Sequence, residues 1–349
     1  MIWTIIFLVV LGLIMVYSTT AASGTVGPVY IIKQGITAGL GFLAMYALMF
    51  VEREKLRRRE VVYGVLALSA SLLVIAALLG EGANTKRFLR TGFLSFQPSE
   101  LAKPAIILYL AYFLQRNSGS IRDFGVIVRP LATVGAMCGL ILIGRDFGTA
   151  ATLLVLASVL LFIAGVPLRW FALGALPLVP LAYLAVWQVP YRRSRIFAFL
   201  DPEADPLGAG FQILQSQIAV GSGGILGKGW MAGKQKMLFL PEAHTDFIFA
   251  QVGEEFGLIG ALLVVAAFAV LIWRGIRNAS LAADRFSFYL AAGVTAMIGT
   301  QAMLNMGIVL GLLPTKGMPL PFISYGGSSL MVFLASCGVL LSVGRSGQA

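Results

Sequence analysis

The sequence predicts an all-α polytopic membrane protein, and two observations lead to this fold class. Hydrophobic residues make up 58% of the chain and charged residues 12%, with a mean hydropathy of +0.89, far from the balance of a soluble domain. Apolar runs long enough to cross about 30 Å of hydrocarbon also recur along the whole chain. We therefore expect one transmembrane domain over residues 1–349.

Ten apolar runs are predicted to be transmembrane helices. The first run is not interpreted as a secretory signal peptide, because Met1–Thr4 has no basic residue. The fourth begins at Pro98, which favours the first turn of a helix. The predicted spans are residues 1–17, 29–51, 61–80, 98–115, 122–143, 147–165, 168–187, 245–273, 286–313 and 323–344.

The distribution of Lys and Arg predicts that both termini are cytoplasmic. The connection 52–60 contains five of these residues, whereas residues 18–28 contain none. Because short cytoplasmic loops are enriched in Lys and Arg, the connection 52–60 is placed inside. The large loop 188–244, between the seventh and eighth helices, is then extracytoplasmic. Within it, Phe211, Leu214 and Ile218 have helical spacing and predict a short helix on the membrane surface.

Several common chemistries are excluded by the residue inventory. His244 is the only histidine, so a His-rich metal site or a triad with a second histidine cannot be built. Cys138 and Cys337 both lie within predicted spans and imply no disulfide framework. The glycine-rich run 221–230 fails the phosphate-loop pattern, because Lys228 is followed by Gly229 instead of Ser or Thr. No nucleotide site is predicted.

Cations on the predicted outer side suggest an anionic ligand. The net charge is +11, and several Lys and Arg residues lie outside despite the positive-inside tendency. Long translocated loops escape that tendency, which is the simpler explanation for residues 188–244. The alternative is an electropositive surface for a lipid phosphate or diphosphate. The cations concerned include Arg87, Arg145, Arg195, Lys228, Lys234, Lys236 and Lys316. Nucleic acid is not expected, because these cations are scattered along the membrane interface.

Asp246 is the candidate catalytic residue. It stands in the run Pro241–Ala250 at the mouth of a hydrophobic helix, where an ionisable side chain is costly unless it has a function or a partner. Three other polar residues are predicted to lie on the outer side: a pair, Glu100 and Lys103, and Asp146. Glu100 and Lys103 are spaced to form an ion pair within the membrane, and Asp146 either caps the following helix or faces a cavity.

The segment 305–329 is predicted to line a cavity. Pro314, Pro319 and Pro321 interrupt the helical pattern, and broken backbone at membrane depth is tolerated where protein or water satisfies it. The alternative is that the small residues 326–329 only allow close helix packing.

Four motifs, in order along the chain, resemble the SEDS family of bacterial shape, elongation, division and sporulation proteins. The resemblance covers essentially the whole chain. Within the family, Gly227–Gly229 and Gly253–Gly257 are most similar to the elongation branch, RodA, while Gln235 and Lys236 are closer to the division branch, FtsW. The motifs are Gln97–Glu100, Asp146–Ala150, Leu240–Phe247, and Asn305 with Pro314–Gly317 and Ser324–Ser328.

The resemblance implies a peptidoglycan glycosyltransferase that polymerises lipid II at the outer face of the bacterial cytoplasmic membrane during cell elongation. It also implies a class B penicillin-binding protein and other elongation-complex membrane proteins as partners. Asp246 matches the essential aspartate of the family, and three residues match polar residues of its central cavity: Glu100, Lys103 and Asp146. Arg87, Lys316 and Ser324 complete the set of expected substrate-binding residues. One departure is Phe88, where the family often has Trp, so an indole donor is lost.

The expected chemistry is an inverting glycosyl transfer in which Asp246 acts as general base. Arg87, Lys103 or Lys316 would offset the diphosphate charge. No cofactor is firmly predicted; a divalent cation, Mg²⁺ or Mn²⁺, bridging Asp246 and the diphosphate remains open. The alternatives are a lipid II flippase, which needs a polar path to both faces, the division-specific polymerase, and a non-catalytic membrane scaffold.

Overall fold

The protein is largely helical in the part of the chain that a computed structural model describes, residues 1–21, 27–80, 87–91, 94–236 and 240–346. A two-stranded antiparallel hairpin, β1 (Leu89–Thr91) and β2 (Leu94–Phe96), is the exception among these residues. The α-helices are α1 (Ile2–Thr20), α2 (Gly27–Met49), α3 (Arg53–Leu56), α4 (Arg59–Leu79), α5 (Pro98–Arg116), α6 (Phe124–Ile143), α7 (Phe147–Ile163), α8 (Leu168–Trp187), α9 (Pro190–Leu200), α10 (Phe211–Ser222), α11 (Ile248–Ser280), α12 (Arg285–Val309) and α13 (Gly327–Ser346).

Each of the ten predicted spans coincides with a helix of the structure. Among the described residues, seven helices are long and apolar enough to cross a membrane: α1, α2, α4, α6, α11, α12 and α13. Helix α7 is apolar but shorter. A multi-pass helical membrane protein is therefore confirmed, while ten crossings and the position of the termini stay predictions.

The chain forms two compact units. One contains Met1–Gly35, Phe171–Val270 and Gln301–Gly326, and is called unit 1 below. The other contains Ile36–Trp170, Leu271–Thr300 and Gly327–Ala349, and is called unit 2. The assignment of a single domain to residues 1–349 stays a prediction.

Helix α5 forms the centre of unit 2. Between Lys103 and its last turn it is largely apolar on all sides, which is typical of a helix surrounded by others. Ala105, Ile106 and Leu110 have no exposed surface. Helices α4, α6, α7 and α13 all pack against α5, and strand β2 packs against α13. The polar first turn of α5 is therefore held inside the unit.

In unit 1, helix α11 begins later than predicted and is broken. It starts at Ile248 instead of residue 245, so Asp246 lies in the turn before the helix. At Gly257 the backbone leaves the helical region, with φ +66° and ψ −161°. A left-handed φ of this kind favours glycine. The single continuous helix expected for this span is therefore wrong.

The glycine-rich run 221–230 packs against this break in α11. Gly227 comes so close to the backbone of Glu255 and Gly257 that a Cβ atom at position 227 would clash with both. These glycines therefore permit close backbone approach, which explains a pattern that resembled a nucleotide-binding loop. The backbone hydrogen bonds across the break are Lys228 N to Glu254 O (3.0 Å), Gly229 N to Glu255 O (3.0 Å), Leu258 N to Gly224 O (2.9 Å) and Ile259 N to Ile225 O (3.3 Å).

The short helix predicted in the large loop is present as α10 (Phe211–Ser222). Its buried face is formed by Ile213, Ser216 and Ala219, and the Ser216 hydroxyl donates to the carbonyl of Val309 at 2.5 Å. Ile218 is 49% exposed on another face. Contact of this exposed face with a membrane surface stays a prediction.

Candidate functional site

Asp246 lies in a tight turn, residues 241–247, at the start of α11. The turn is organised by Glu242, which has a left-handed φ of 57° that is uncommon for a residue other than glycine. The Glu242 carbonyl accepts hydrogen bonds from the backbone N–H groups of Thr245 (3.1 Å), Asp246 (3.1 Å) and Phe247 (3.4 Å). A strained residue of this kind is retained where the surrounding structure fixes it.

Three consecutive carbonyl groups of this turn are held by the segment 305–325. Because each of these three carbonyl groups accepts a hydrogen bond, the backbone that carries the Asp246 side chain is held in place. The hydrogen bonds are Tyr325 N to His244 O (2.9 Å), Ser324 Oγ to Thr245 O (2.5 Å) and Asn305 Nδ2 to Asp246 O (2.8 Å).

Asn305 and Ser324 each join the turn to a second backbone group. Asn305 Nδ2 also donates to the carbonyl of Met318 at 2.7 Å, and Ser324 Oγ accepts from the N–H of Leu320 at 2.8 Å. Ser324 is 3% exposed. The role of Asn305 was missed by sequence reasoning, although its amide is one of few polar groups in an apolar helix. Contact of Ser324 with substrate stays a prediction.

The Asp246 carboxylate rests against Gly317. A Cβ atom at position 317 would lie 2.8 Å from Asp246 Oδ2, which is closer than real contacts of this kind. Asp246 and the neighbouring Lys316 are both half-buried. Three predicted site residues therefore lie near one another in unit 1: Asp246, Lys316 and Ser324.

His244 contributes an aromatic contact to the same turn. Its ring lies 5.0 Å from that of Tyr30 and 5.7 Å from that of Tyr325, measured between centroids. Burial lowers the pKa of His244 below its ordinary value of 6.5, although the Glu242 carboxylate acts in the opposite direction. His244 is therefore largely neutral at pH 7 and suits a structural role.

In unit 2, Glu100 and Lys103 form the predicted ion pair at the start of α5. Lys103 Nζ lies 2.9 Å from Glu100 Oε2, and the residues are 1% and 3% exposed, respectively. Lys103 Nζ also lies 5.0 Å above the ring of Phe333. Because each charge neutralises the other, Lys103 does not offer a net positive charge to a ligand in this state.

Asp146 caps helix α7 and is 5% exposed. Its carboxylate accepts from the Thr149 N–H (3.1 Å), Thr149 Oγ1 (2.8 Å), Gln97 Nε2 (2.9 Å) and Ser99 Oγ (2.9 Å). The capping interpretation of Asp146 is thus confirmed. The residue before it, Arg145, has a left-handed φ of 61°, which makes the predicted abrupt turn.

Asp146 also lines a small pocket in unit 2, together with Arg87 and Ser99. The Nε atom of Arg87 is buried and has no hydrogen-bond partner among the residues that the structure describes, and the guanidinium carbon lies 5.1 Å from the Phe88 ring centroid. A buried cationic donor without a partner is favourable for an anion or a carbonyl oxygen. Asp146 and Arg87 are therefore brought to one pocket.

Two of the lysines that are predicted to be external form ion pairs with buried carboxylates. Lys228 Nζ lies 2.9 Å from Glu254 Oε1, and Lys236 Nζ lies 2.7 Å from Glu255 Oε1. Lys236 is 8% exposed. Buried carboxylates pair with both lysines, so these two do not support an open electropositive surface, and the anionic-lipid surface stays a prediction.

Within the described residues, no group of three or more His, Cys, Asp or Glu side chains is arranged to hold a metal ion. The divalent cation considered in the sequence analysis would bind the carboxylate of Asp246. A divalent cation at Asp246 would need most of its oxygen ligands from substrate and water, as Mg²⁺ accepts.

The architecture defines a multi-pass helical membrane protein that carries polar residues at the mouths of its helices. A family model described as cell cycle protein, for FtsW, RodA and SpoVE, matches residues 1–348. The chain therefore belongs to the FtsW, RodA and SpoVE family, which confirms the resemblance to SEDS proteins.

Curated relatives are similar to this chain over nearly its whole length. A probable peptidoglycan glycosyltransferase FtsW of Geobacter metallireducens is 43% identical over 338 residues, covering 95% of this chain and 90% of that protein. The stage V sporulation protein E of Bacillus subtilis is 40% identical over 347 residues, covering 97% and 94%. The expectation of an elongation-branch protein is not supported by these names.

Solved structures have the same fold. A peptidoglycan synthase complex, described as coordinating polymerization and crosslinking, contains a chain with a TM-score of 0.80 and 33% identity, covering 99% of this chain and 98% of that one. RodA of Thermus thermophilus has a TM-score of 0.72 and 27% identity, covering 99% and 97%.

Proposed function

We propose that this protein is a peptidoglycan glycosyltransferase that polymerises lipid II, with Asp246 as general base. The observation that carries the proposal is the fixed turn 241–247, which holds a half-buried carboxylate at the mouth of a hydrophobic helix. General bases require a position fixed relative to the proton that they accept. Family membership and the names of relatives at about 40% identity support the same activity.

In the proposed reaction, the 4-hydroxyl of the GlcNAc of one lipid II attacks the anomeric carbon of the sugar on the other chain. The new bond joins that oxygen to the anomeric carbon, while the bond from this carbon to the diphosphate oxygen breaks. The hydroxyl proton passes to Asp246, and the lipid diphosphate leaves with the electron pair. A single displacement inverts the anomeric centre.

Charge stabilisation of the leaving diphosphate is assigned to Lys316, which lies in unit 1 with Asp246. In unit 2, the buried Nε atom of Arg87 has no hydrogen-bond partner among the described residues and is proposed to bind an anionic group of the substrate, whereas Lys103 is neutralised by Glu100. Lys316 adjoins Gly317, which the Asp246 carboxylate touches. Cationic donors stabilise developing negative charge most strongly where water is excluded. Glu100, Lys103 and Asp146 are assigned to the substrate cavity on the strength of their buried polar networks.

We assign Ser324 to support of the Asp246 turn, because its hydroxyl already bonds two backbone groups. The cellular role is proposed to be division or sporulation in preference to elongation, following the names of the relatives. A class B penicillin-binding protein is the proposed partner, since the similar complex combines polymerization with crosslinking. The proposed location is the cytoplasmic membrane, with Asp246 on its outer side.

The test is glycan synthesis by purified protein, with its partner, from lipid II. Asp246→Ala should lower the rate of polymerisation by about 100-fold or more, the range for loss of a general base. Asp201→Ala is the matched control, because Asp201 is an exposed aspartate of the same large loop, and it should retain the wild-type rate. If the Asp246→Ala variant makes glycan at the wild-type rate, the proposed role of Asp246 is disproved.

The alternative, a lipid II flippase, is separated by a second assay on the same preparation. Vesicles containing the protein and labelled lipid II report movement of the lipid between leaflets without any polymer. Lipid movement with no glycan product from the wild type would favour the flippase. Glycan product that depends on Asp246 would favour the polymerase.

A further inference from the structure

Two buried carboxylates beside the break in α11 have no part in the proposed reaction. Glu254 and Glu255 have no exposed surface and lie within one turn before Gly257. A buried charge is expensive unless it is paired and hydrogen-bonded. Their retention in an apolar helix therefore requires specific partners.

Both carboxylates bind the same segment, residues 228–236, through charged and backbone donors. Glu254 accepts from Lys228 Nζ (2.9 Å), the Lys234 N–H (2.9 Å) and the Gln235 N–H (3.2 Å). Glu255 accepts from Lys236 Nζ (2.7 Å), Ser18 Oγ (2.5 Å) and the Met231 N–H (3.1 Å). We call these two glutamates, with Lys228 and Lys236, the carboxylate latch.

Gly233 allows both carboxylates to close on one stretch of backbone. A Cβ atom at this position would lie 2.9 Å from Glu254 Oε2 and 3.1 Å from Glu255 Oε1. The absence of a side chain is therefore part of the fit. All four carboxylate oxygens have at least one donor, so the latch is a satisfied network and not an isolated pair.

The latch joins the two ends of the segment that contains Asp246. Residues 234–236 lie before Asp246 in the chain, and Glu254 and Glu255 lie after it. Next to the latch, the Leu240 N–H donates to the Gln235 carbonyl at 2.9 Å, which fixes the entry to the turn. Along the chain, Asp246 therefore lies between the two sides of the latch, and its own carbonyl accepts a hydrogen bond from Asn305.

We propose that Glu254, Glu255, Lys228 and Lys236 are positioning residues that fix the loop carrying Asp246 for glycosyl transfer. The inference rests on the proposed function. The latch acts on the rate of the chemical step, because a small displacement of a base alters its distance to the reacting hydroxyl. Substrate affinity depends on other groups and should change little.

The test combines glycan synthesis from lipid II with amide hydrogen exchange of residues 228–246 in the purified full chain. Lys236→Met leaves Glu255 as an uncompensated buried charge and is the strong perturbation. Lys236→Met with Glu255→Gln removes both charges and protects the fold. Arg53→Met with Asp284→Asn is the matched control, since that ion pair, 3.4 Å long, lies in unit 2.

The neutral double variant should exchange at least about tenfold faster than wild type in residues 228–246, because buried charge-assisted bonds are lost. Its kcat should fall about tenfold or more, with KM within about twofold of wild type. The control variant should match wild type in both measurements.

Faster exchange with wild-type kcat would overturn the positioning role, since the latch would then be only structural. Unchanged exchange would overturn the latch itself. Failure of the proposed function is recognised separately, by wild-type protein that makes no glycan from lipid II. The positioning inference would then fall with it, while the exchange rates still decide whether the latch holds the loop.

Discussion

Gly317→Ala tests the position from which Asp246 acts. The added Cβ atom would lie 2.8 Å from Asp246 Oδ2, and ordinary van der Waals contact starts at 3.4 Å. The carboxylate must therefore retreat by about half an ångström, because the backbone of its turn is held by Asn305 and Ser324. Displacements of about 1 Å cost catalysis up to about 100-fold, so we expect kcat to fall about 10-fold.

The assay is the initial rate of glycan synthesis over a range of lipid II concentrations. The matched control is Gly39→Ala, because a Cβ atom at Gly39 meets nothing within 4 Å; it should retain the wild-type kcat. Gly317→Val, with its larger side chain, should lower kcat further than Gly317→Ala. A wild-type kcat for both Gly317 variants, together with inactivity of Asp246→Ala, would refute catalysis from the observed position.

Three further predictions concern single side chains. Asn305→Asp replaces an amide donor by a carboxylate that faces the carbonyls of Asp246 and Met318, so kcat in the glycan assay should fall about 100-fold while KM changes little. An unchanged kcat would contradict the role of Asn305 in holding the Asp246 turn. The pKa of His244 is lower in the folded protein than in the unfolded chain, so the unfolded chain binds more protons in acid. The free energy of unfolding should therefore decrease as the pH falls through 6.5, the ordinary pKa of histidine. Thermal unfolding between pH 7.5 and 5.5 should therefore show a smaller decrease for His244→Gln than for wild type. Lys103→Met leaves Glu100 buried and unpaired, which should destabilise the protein by about 3–5 kcal/mol; Lys103→Met with Glu100→Gln should recover part of that loss in the unfolding midpoint.

The positions of the long helices could be predicted from the sequence because an apolar run is a local feature of the chain. Apolar runs predicted α4 as 61–80 and α6 as 122–143, against the observed Arg59–Leu79 and Phe124–Ile143. The break in α11 was missed because Gly257 lies in an apolar run that reads as continuous helix. Its cause is non-local, since the loop that satisfies the broken backbone precedes it by some 30 residues.

Short-range parts of the site were predictable, whereas long-range pairings were not. The i,i+3 spacing of Glu100 and Lys103 predicted their ion pair, and the position of Asp146 before a helix made a cap one of its two expected roles. Spacing could not pair Lys236 with Glu255, which are separated by 19 residues. Nor could it assign the amide of Asn305 to the backbone of Asp246, 59 residues away.

The break in α11 also has a consequence for how the chain is made. During synthesis the glycine-rich run 221–230 leaves the ribosome before Ile248–Ser280. In a bilayer, unpaired backbone groups and buried carboxylates at the break would be costly until that run is in place. Insertion of α11 should therefore be coupled to docking of a segment that is synthesised earlier. In a chain that lacks residues 221–236, α11 should insert into the membrane less efficiently.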